Sequence, residues 1–411
     1  MDQAGEVGAG RRDRRRNAAG RPRGGLALPR GAPRTAFPVT AIRRWPWPFL
    51  LLLVGALLAT ARVVPAFSVS PTLVLAVFLP PLLFDAGFSM RASAVRRELS
   101  WILLLGVAGA VLTAGIVFGL LRAAGCLPSA EALLLAAILA ATDPVSVFAA
   151  LRRLHTPERL RVALEGESLV NDGVAVVLFV VALAVVERHV LDAPGVVGLF
   201  LWLTGGGLAV GAGVGLLTRR LLGIVSRPVQ IAIAVTVAAA YAAYLLAEWI
   251  GASGLLAVIA TSLLLGSAYQ PTTHHQVHRF WRSLGFAMSG VVFLLVGLQV
   301  RIDQVVGAGG RLLLLVAVVL LARALMVTLV TVSRSDLWPW SWRFALVWAG
   351  MRGALALALA LGVPAEVAGH DAILVLVFGF VFLSLVVQGL STGPVFGVLG
   401  ISRQTAVTTA R

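Results

Sequence analysis

Twelve apolar stretches dominate the chain, at about 48–62, 71–89, 101–121, 131–151, 158–186, 196–217, 229–247, 252–268, 283–300, 312–332, 341–361 and 372–397. Most approach the ~20 residues that cross a hydrocarbon core. In lipid every backbone polar group needs a partner within the protein, so a chain segmented like this folds as a bundle of membrane helices. Composition agrees: 59% of the 411 residues are hydrophobic and 13% are charged, with a mean hydropathy of +0.94. A soluble globular chain carries roughly 25% charged residues. The expected fold class is therefore an all-α polytopic membrane protein with about twelve transmembrane helices.

The formal net charge of +16 raises the question of nucleic acid, and the distribution answers it. All 34 basic residues are Arg; eleven fall within residues 1–44, and most others sit in short connections between apolar runs. With the N-terminus inside, the inner connections and tail hold sixteen Arg and the outer connections five. That asymmetry places both termini in the cytoplasm and the chain in the cytoplasmic (inner) membrane, with no nucleic-acid partner. Residues 1–44, rich in Arg, Gly, Ala and Pro, read as a disordered head or a mis-assigned start. Residues 45–400 form the transmembrane domain and 401–411 a short cytoplasmic tail. Cys126 is the single cysteine, which excludes an intrachain disulfide and argues against a redox or zinc site. Nothing resembles a nucleotide-binding loop, so neither ATP-driven transport nor a cofactor is expected, and the chain does not read as an enzyme.

Two polar segments interrupt this apolar background: ATDP at 141–144 and GESLVND at 166–172. One ionisable side chain near the membrane centre costs about 2.5–3.5 kcal/mol on insertion scales, so several together mark an ion or proton pathway. On the helix expected after Thr156-Pro157, with Thr156 as cap and Pro157 at the first helical position, Ser168 and Asp172 are four residues apart. Glu167 and Asn171 share that spacing, so a polar stripe points one way and must meet protein or water. In the preceding segment Thr142 and Asp143 stand before Pro144, which frees backbone carbonyls in the turn before it. Irregular backbone at that depth is tolerated where it lines a cavity, and freed carbonyls beside a carboxylate suit a dehydrating hard cation. A carboxyl group sheltered from water takes up protons well above the ~3.9 of a free aspartate, so protons and cations compete for it.

Other polar residues read more plainly. Arg323, inside the tenth run, reads as a fold anchor or a snorkelling side chain rather than a substrate ligand, and the sequence does not identify its partner. His274, His275 and His278 read as part of a solvated loop rather than a metal site. Gly207, Gly211 and Gly215 repeat at four-residue spacing and read as a close helix contact, within the chain or with a second subunit. Trp45, Trp47, Trp338, Trp340 and Trp342 read as interfacial anchors. Asp85 and Glu165 fit interfacial charge and pathway lining equally well.

Four motifs in order carry a family resemblance: FLPPLLFDAGF at 78–88, AILAATDPVSVFAALRRLHTPERLRVALEGESLVNDGVAVVLF at 137–179, FWRSLGFAMSGVVFLLVGLQV at 280–300 and WAGMRGALALALAL at 348–361. From about Pro48 to Gly400 the chain resembles the monovalent cation:proton antiporters, in the branch of the sodium/proton exchangers. The resemblance implies an inverted-repeat fold whose fourth and eleventh spans are interrupted and cross near Asp143, Arg352 and Gly353. It implies that Asp172 is the shared cation and proton site, with Asp143, Thr142 and Ser168 around the ion. It further implies that Glu167 pairs with Arg352, that Asn171 positions the crossing backbones, and that the chain forms a homodimer. Asn171 beside Asp172, rather than two aspartates, looks like the electroneutral branch. The implied activity is exchange of Na+, Li+ or K+ for H+ across the bilayer. A potassium/proton antiporter and a non-transporting scaffold or sensor on the same fold stay open. The pattern departs in two places: Asp85 stands where many relatives have Glu, and the Arg-rich head stands where they carry a further hydrophobic helix.

Overall fold

The computed structural model describes residues 47–63, 70–143, 156–188, 192–225, 228–266, 271–299, 302–334 and 336–401. The chain divides into two units, 1–44 and 45–411, and only the second falls among the described residues. Pro144, Trp45, Arg152, Arg153 and the tail beyond Ile401 lie outside them.

Among the described residues the regular structure is helical, with no strand. The principal helices are α1 (Trp47–Thr60), α2 (71–89), α3 (92–124), α4 (Ser129–Ile138), α5 (Glu158–Arg188), α6 (Ala193–Val225) and α7 (Val229–Trp249). They continue as α8 (Gly254–Leu265), α9 (Pro271–Gly297), α10 (Gly309–Thr331), α11 (Trp340–Trp348), α12 (Ala354–Leu361) and α13 (370–398). Among the described residues seven helices are long and apolar enough to cross a membrane, and shorter apolar helices lie among them. Where they fall among the described residues, the apolar runs lie largely on these elements, and two of them leave helix. The run at 341–361 is divided between α11 and α12 by unwound residues, and the run at 131–151 leaves helix after Ile138 and has no regular structure at 141–143. In α2, α3 and α13 the helix widens into π-helical turns, at Val74–Phe78, Leu104–Ala108 and Leu385–Gly389.

Two groups of helices pack into one unit. In the first, α6 lies on α7 and α8, α2 on α8 and α9, and α1 on α9. In the second, α3 packs on α4, α5 and α10, and α4 on α5. Helices α8 and α12 are buried on nearly all faces, which lets them be short, whereas α6 turns Leu201, Trp202, Leu216 and Leu217 outward. Outward apolar side chains on a membrane helix meet lipid, the reverse of the soluble case.

The glycine stripe of α6 packs within the chain. A Cβ at Gly207 would lie 2.5 Å from Ser253 O, and one at Gly211 would lie 2.2 Å from Ala257 O. Thr261 Oγ1 donates to Gly211 O at 2.9 Å in the space this opens. Three local expectations are corrected. The histidine stretch is helical, because α9 begins at Pro271, so His275 and His278 stand on a helix rather than in a loop. Trp338 is no interfacial anchor: it is fully buried, 5.1 Å from the Trp101 ring and with the Arg159 guanidinium 5.6 Å above it. Thr156 does not cap α5 through its hydroxyl, which has no hydrogen-bond partner among the described residues; Pro157 O accepts the first bond, from Arg161 N at 3.0 Å.

The Gly211 contact leaves no room for a methyl group, and overpacking costs about 1–3 kcal/mol. Gly211→Ala is expected to lower the thermal midpoint of the detergent-solubilised protein. Gly213→Ala, where an added Cβ meets nothing within 4 Å, is expected to leave it unchanged. Equal midpoints for the two variants would contradict the packing described.

Candidate ion-binding site

The two interruptions meet. Asp143 N–H donates to Met351 O at 2.8 Å, so the unwound backbone after α4 is joined to the unwound backbone between α11 and α12. Neither partner has a helical neighbour to bond, and in an apolar interior an unpaired peptide group costs several kcal/mol. Gly353 makes the approach possible: a Cβ there would stand 2.4 Å from Asp143 Cγ. Gly353 also caps the N-terminus of α12, so the Asp143 carboxyl group sits where unpaired helical N–H groups concentrate positive potential.

The polar stripe of α5 faces this crossing. Glu167, Ser168, Asn171 and Asp172 are all buried, as are Thr142 and Asp143. Asn171 Nδ2 donates to Ala140 O at 3.0 Å and to Thr142 Oγ1 at 3.2 Å, tying α5 to the stretch that has left helix. Asp172 Oδ1 is buried with no hydrogen-bond partner among the described residues, which is unusual for a carboxylate oxygen and leaves it able to take a ligand.

The expected pairing of Glu167 with Arg352 is not found. Glu167 pairs instead with Arg323 of α10, in a two-pronged contact with Nη1 to Oε1 at 2.6 Å and Nη2 to Oε2 at 2.8 Å. Arg323 also donates to Leu346 O, from Nη2 at 3.1 Å, and so fastens α5, α10 and α11 together. Gly350 admits it: a Cβ there would lie 2.8 Å from Arg323 Nε. With both Glu167 oxygens held by one planar fork, Arg352 is left to other partners. Its Nη1 donates to Gly350 O at 3.0 Å, while its Nε and Nη2 are buried without a hydrogen-bond partner among the described residues. The sequence shows that an arginine in the tenth run needs an acid, but not which of three buried acids turns toward it.

Ser384 and Gln388 of α13, which no sequence motif singles out, are both buried and both bonded to the α11–α12 break. Their signal was present, as two polar residues four apart in an otherwise apolar helix. Of the ambiguous acids, Asp85 accepts from Ser89 Oγ at 3.4 Å, and Glu165 lies 3.9 Å from Arg161 on its own helix. Neither is among the buried charged residues. Among the described residues no group of three or more metal-ligating side chains of His, Cys, Asp or Glu is assembled.

Unwound backbone crossing over buried charges, among described residues with seven helices long enough to span a bilayer, defines a multi-pass secondary transporter. Residues 34–397 match the family described as sodium/hydrogen exchanger, transmembrane. The Na(+)/H(+) antiporter ApNhaP of Aphanothece halophytica is 36% identical over 376 residues, which are 87% of this chain and 70% of that protein. The low-affinity Na(+)/H(+) antiporter NhaS1 of a Synechocystis strain is 34% identical over 374 residues, 86% of this chain and 69% of its own. The sodium proton antiporter MjNhaP1 from Methanocaldococcus jannaschii shares the fold, with a TM-score of 0.74 at 21% identity over 88% of this chain and 94% of that one. The chain belongs to the sodium/hydrogen exchanger family.

Breaking a buried ion pair by removing one partner costs roughly 3–5 kcal/mol. Arg323→Gln is therefore expected to lose more thermal stability and membrane yield than Arg352→Gln. The reverse order, measured on the purified proteins, would contradict the pairing.

Proposed function

We propose that the protein is a secondary antiporter that exchanges Na+ for H+ at Asp172, with Asp143, Thr142 and Ser168 completing the ion's surroundings and Asn171 holding the crossing in place. The observation that carries this reading is the balance of buried charge. Among the described residues the buried charged side chains are Asp143, Glu167, Asp172, Arg323 and Arg352. Three acids against two bases leave one negative charge over when all are ionised. Glu167 and Arg323 cancel within their contact, so the surplus falls on the Asp143, Asp172 and Arg352 group. An uncompensated charge in an apolar interior is unfavourable, and one proton or one monovalent cation removes it.

Exchange follows from that single vacancy in the charge balance. A site neutralised by either ion can pass through the bundle, whereas the unneutralised site carries a net charge through a low-dielectric layer and is held back. One proton then moves for each cation, with no net charge transferred. The relatives named above as Na(+)/H(+) antiporters support Na+ as the cation. Li+ and K+ meet the same charge requirement and differ in the shell they need.

The arginine distribution supports a cytoplasmic-membrane protein with both termini inside. Assembly as a homodimer belongs to the same proposal. The alternative of a scaffold without transport is disfavoured by the buried surplus acid, for which a purely structural protein has no use.

The test uses everted membrane vesicles with a pH-sensitive dye. Na+ added to vesicles carrying the wild type is expected to release protons, and vesicles carrying Asp172→Asn are expected to give less than about 1% of that rate, as loss of an essential group does. A K+ response larger than the Na+ response would reassign the cation. An unchanged signal in Asp172→Asn would refute the site.

A further inference from the structure

A broken helix leaves carbonyl groups unpaired at the end of its first half and N–H groups unpaired at the start of its second. At the two breaks the first halves are treated alike. Beyond α4, the side-chain amide of Asn171, on the next long helix, donates to Ala140 O at 3.0 Å. At the end of α11, the amide of Gln388, on the next long helix α13, donates to Trp348 O at 3.3 Å. The second amide does not act alone. Gln388 Oε1 accepts from Ser384 Oγ at 2.6 Å, and the same Ser384 Oγ accepts the backbone N–H of Arg352 at 3.2 Å.

Ser384 and Gln388 thus bridge the break, one holding the last residue of α11 and the other holding Arg352 just before α12. Both side chains are buried. Gln388 lies in the π-helical turn Leu385–Gly389, and Thr392 Oγ1 donates to Gln388 O at 2.6 Å. Extra-wide turns of this kind re-aim side chains and recur at functional sites. Between the two anchored points lie Gly350, which accepts from Arg352 Nη1, and Met351, whose carbonyl accepts from Asp143 N–H. Gly353, against the Asp143 carboxyl group, is the residue after the second anchor.

We propose that Ser384 and Gln388 are positioning residues of the ion site: a serine–glutamine clasp that fixes the span from Trp348 to Arg352 and so sets where Met351 O, the Arg352 guanidinium and Gly353 stand against Asp143. The inference rests on the antiport reading above and deepens it by assigning the second crossing helix its own support, the counterpart of Asn171. Neither side chain needs to touch the ion. Loosening the clasp shifts the groups that do by a fraction of an ångström, which alters cation affinity and proton competition together.

The experiment measures initial Na+-driven proton flux in proteoliposomes against Na+ concentration at several pH values, for wild type, Ser384→Ala, Gln388→Met, the double variant and Ser384→Thr. Thermal midpoints are recorded on the same preparations. Ser384→Ala and Gln388→Met are each expected to raise the KM for Na+ about tenfold, the scale of one lost buried hydrogen bond, and to displace the pH profile. The double variant is expected to be no worse than the worse single one, because both act through one clasp. Ser384→Thr, which keeps the hydroxyl, is expected to match the wild type. Unchanged KM and pH profile in Ser384→Ala and Gln388→Met would overturn the assignment, as would additive effects. Failure of both to assemble while Ser384→Thr behaves as wild type would also overturn it in favour of a purely structural role. A wild type without flux overturns the antiport reading itself, whereas an active wild type with indifferent variants overturns only the clasp.

Discussion

The hydrogen bond from Asp143 N–H to Met351 O is the contact on which the rest of the structure depends. Peptide groups that leave helix within an apolar bundle must find partners, and water is not available to supply them. Each unwound stretch is the natural partner of the other, since both offer backbone groups that no helix uses. Their meeting fixes the crossing of α12 with the chain after α4, and the side chains beside the bond follow. Asp143 is drawn to the start of α12, Gly353 is required because a side chain would occupy the Asp143 carboxyl position, and Thr142 is brought to α5.

Charge is then divided between two tasks. Glu167 and Arg323 use all their principal donors and acceptors on each other and on the α11 backbone, so they join helices and have little left for a ligand. A pair of this kind contributes more to a unique arrangement of helices than to net stability, because desolvation offsets much of its attraction. Arg352 is different. Its guanidinium is buried and retains donors without partners among the described residues. The separation of a satisfied pair from an unsatisfied group is what distinguishes architecture from site here.

Much of this was legible in the sequence. The apolar runs announced the helices because the bilayer fixes their length and admits no other spanning structure in an α-helical chain. The α5 stripe was legible because Glu167, Ser168, Asn171 and Asp172 follow helical spacing, and Asp143 because a carboxylate next to proline has no place in an uninterrupted span. The partner of Glu167 was not, since Arg323 and Arg352 both sit in apolar runs and only the packing of α10 on the rest decides which reaches it. The roles of Ser384 and Gln388 were hidden for a related reason: neutral polar residues four apart fit any helix, and their use depends on a break in a different helix. The place of Trp338 was not legible, because an indole at a span end is as suitable for a buried aromatic cluster as for the interface.

The central physical claim is that one buried negative charge is balanced by a proton or by a cation, never by both. Counting the protons released as Na+ binds tests this most directly. Calorimetric titration of the purified protein with NaCl, in two buffers of equal pH and different ionisation enthalpy, gives that number from the difference between the measured heats. At a pH where the apo site is protonated, one proton released per Na+ bound is expected for the wild type, and neither binding nor release for Asp172→Asn. Na+ binding without proton release across the whole pH range would contradict the shared site.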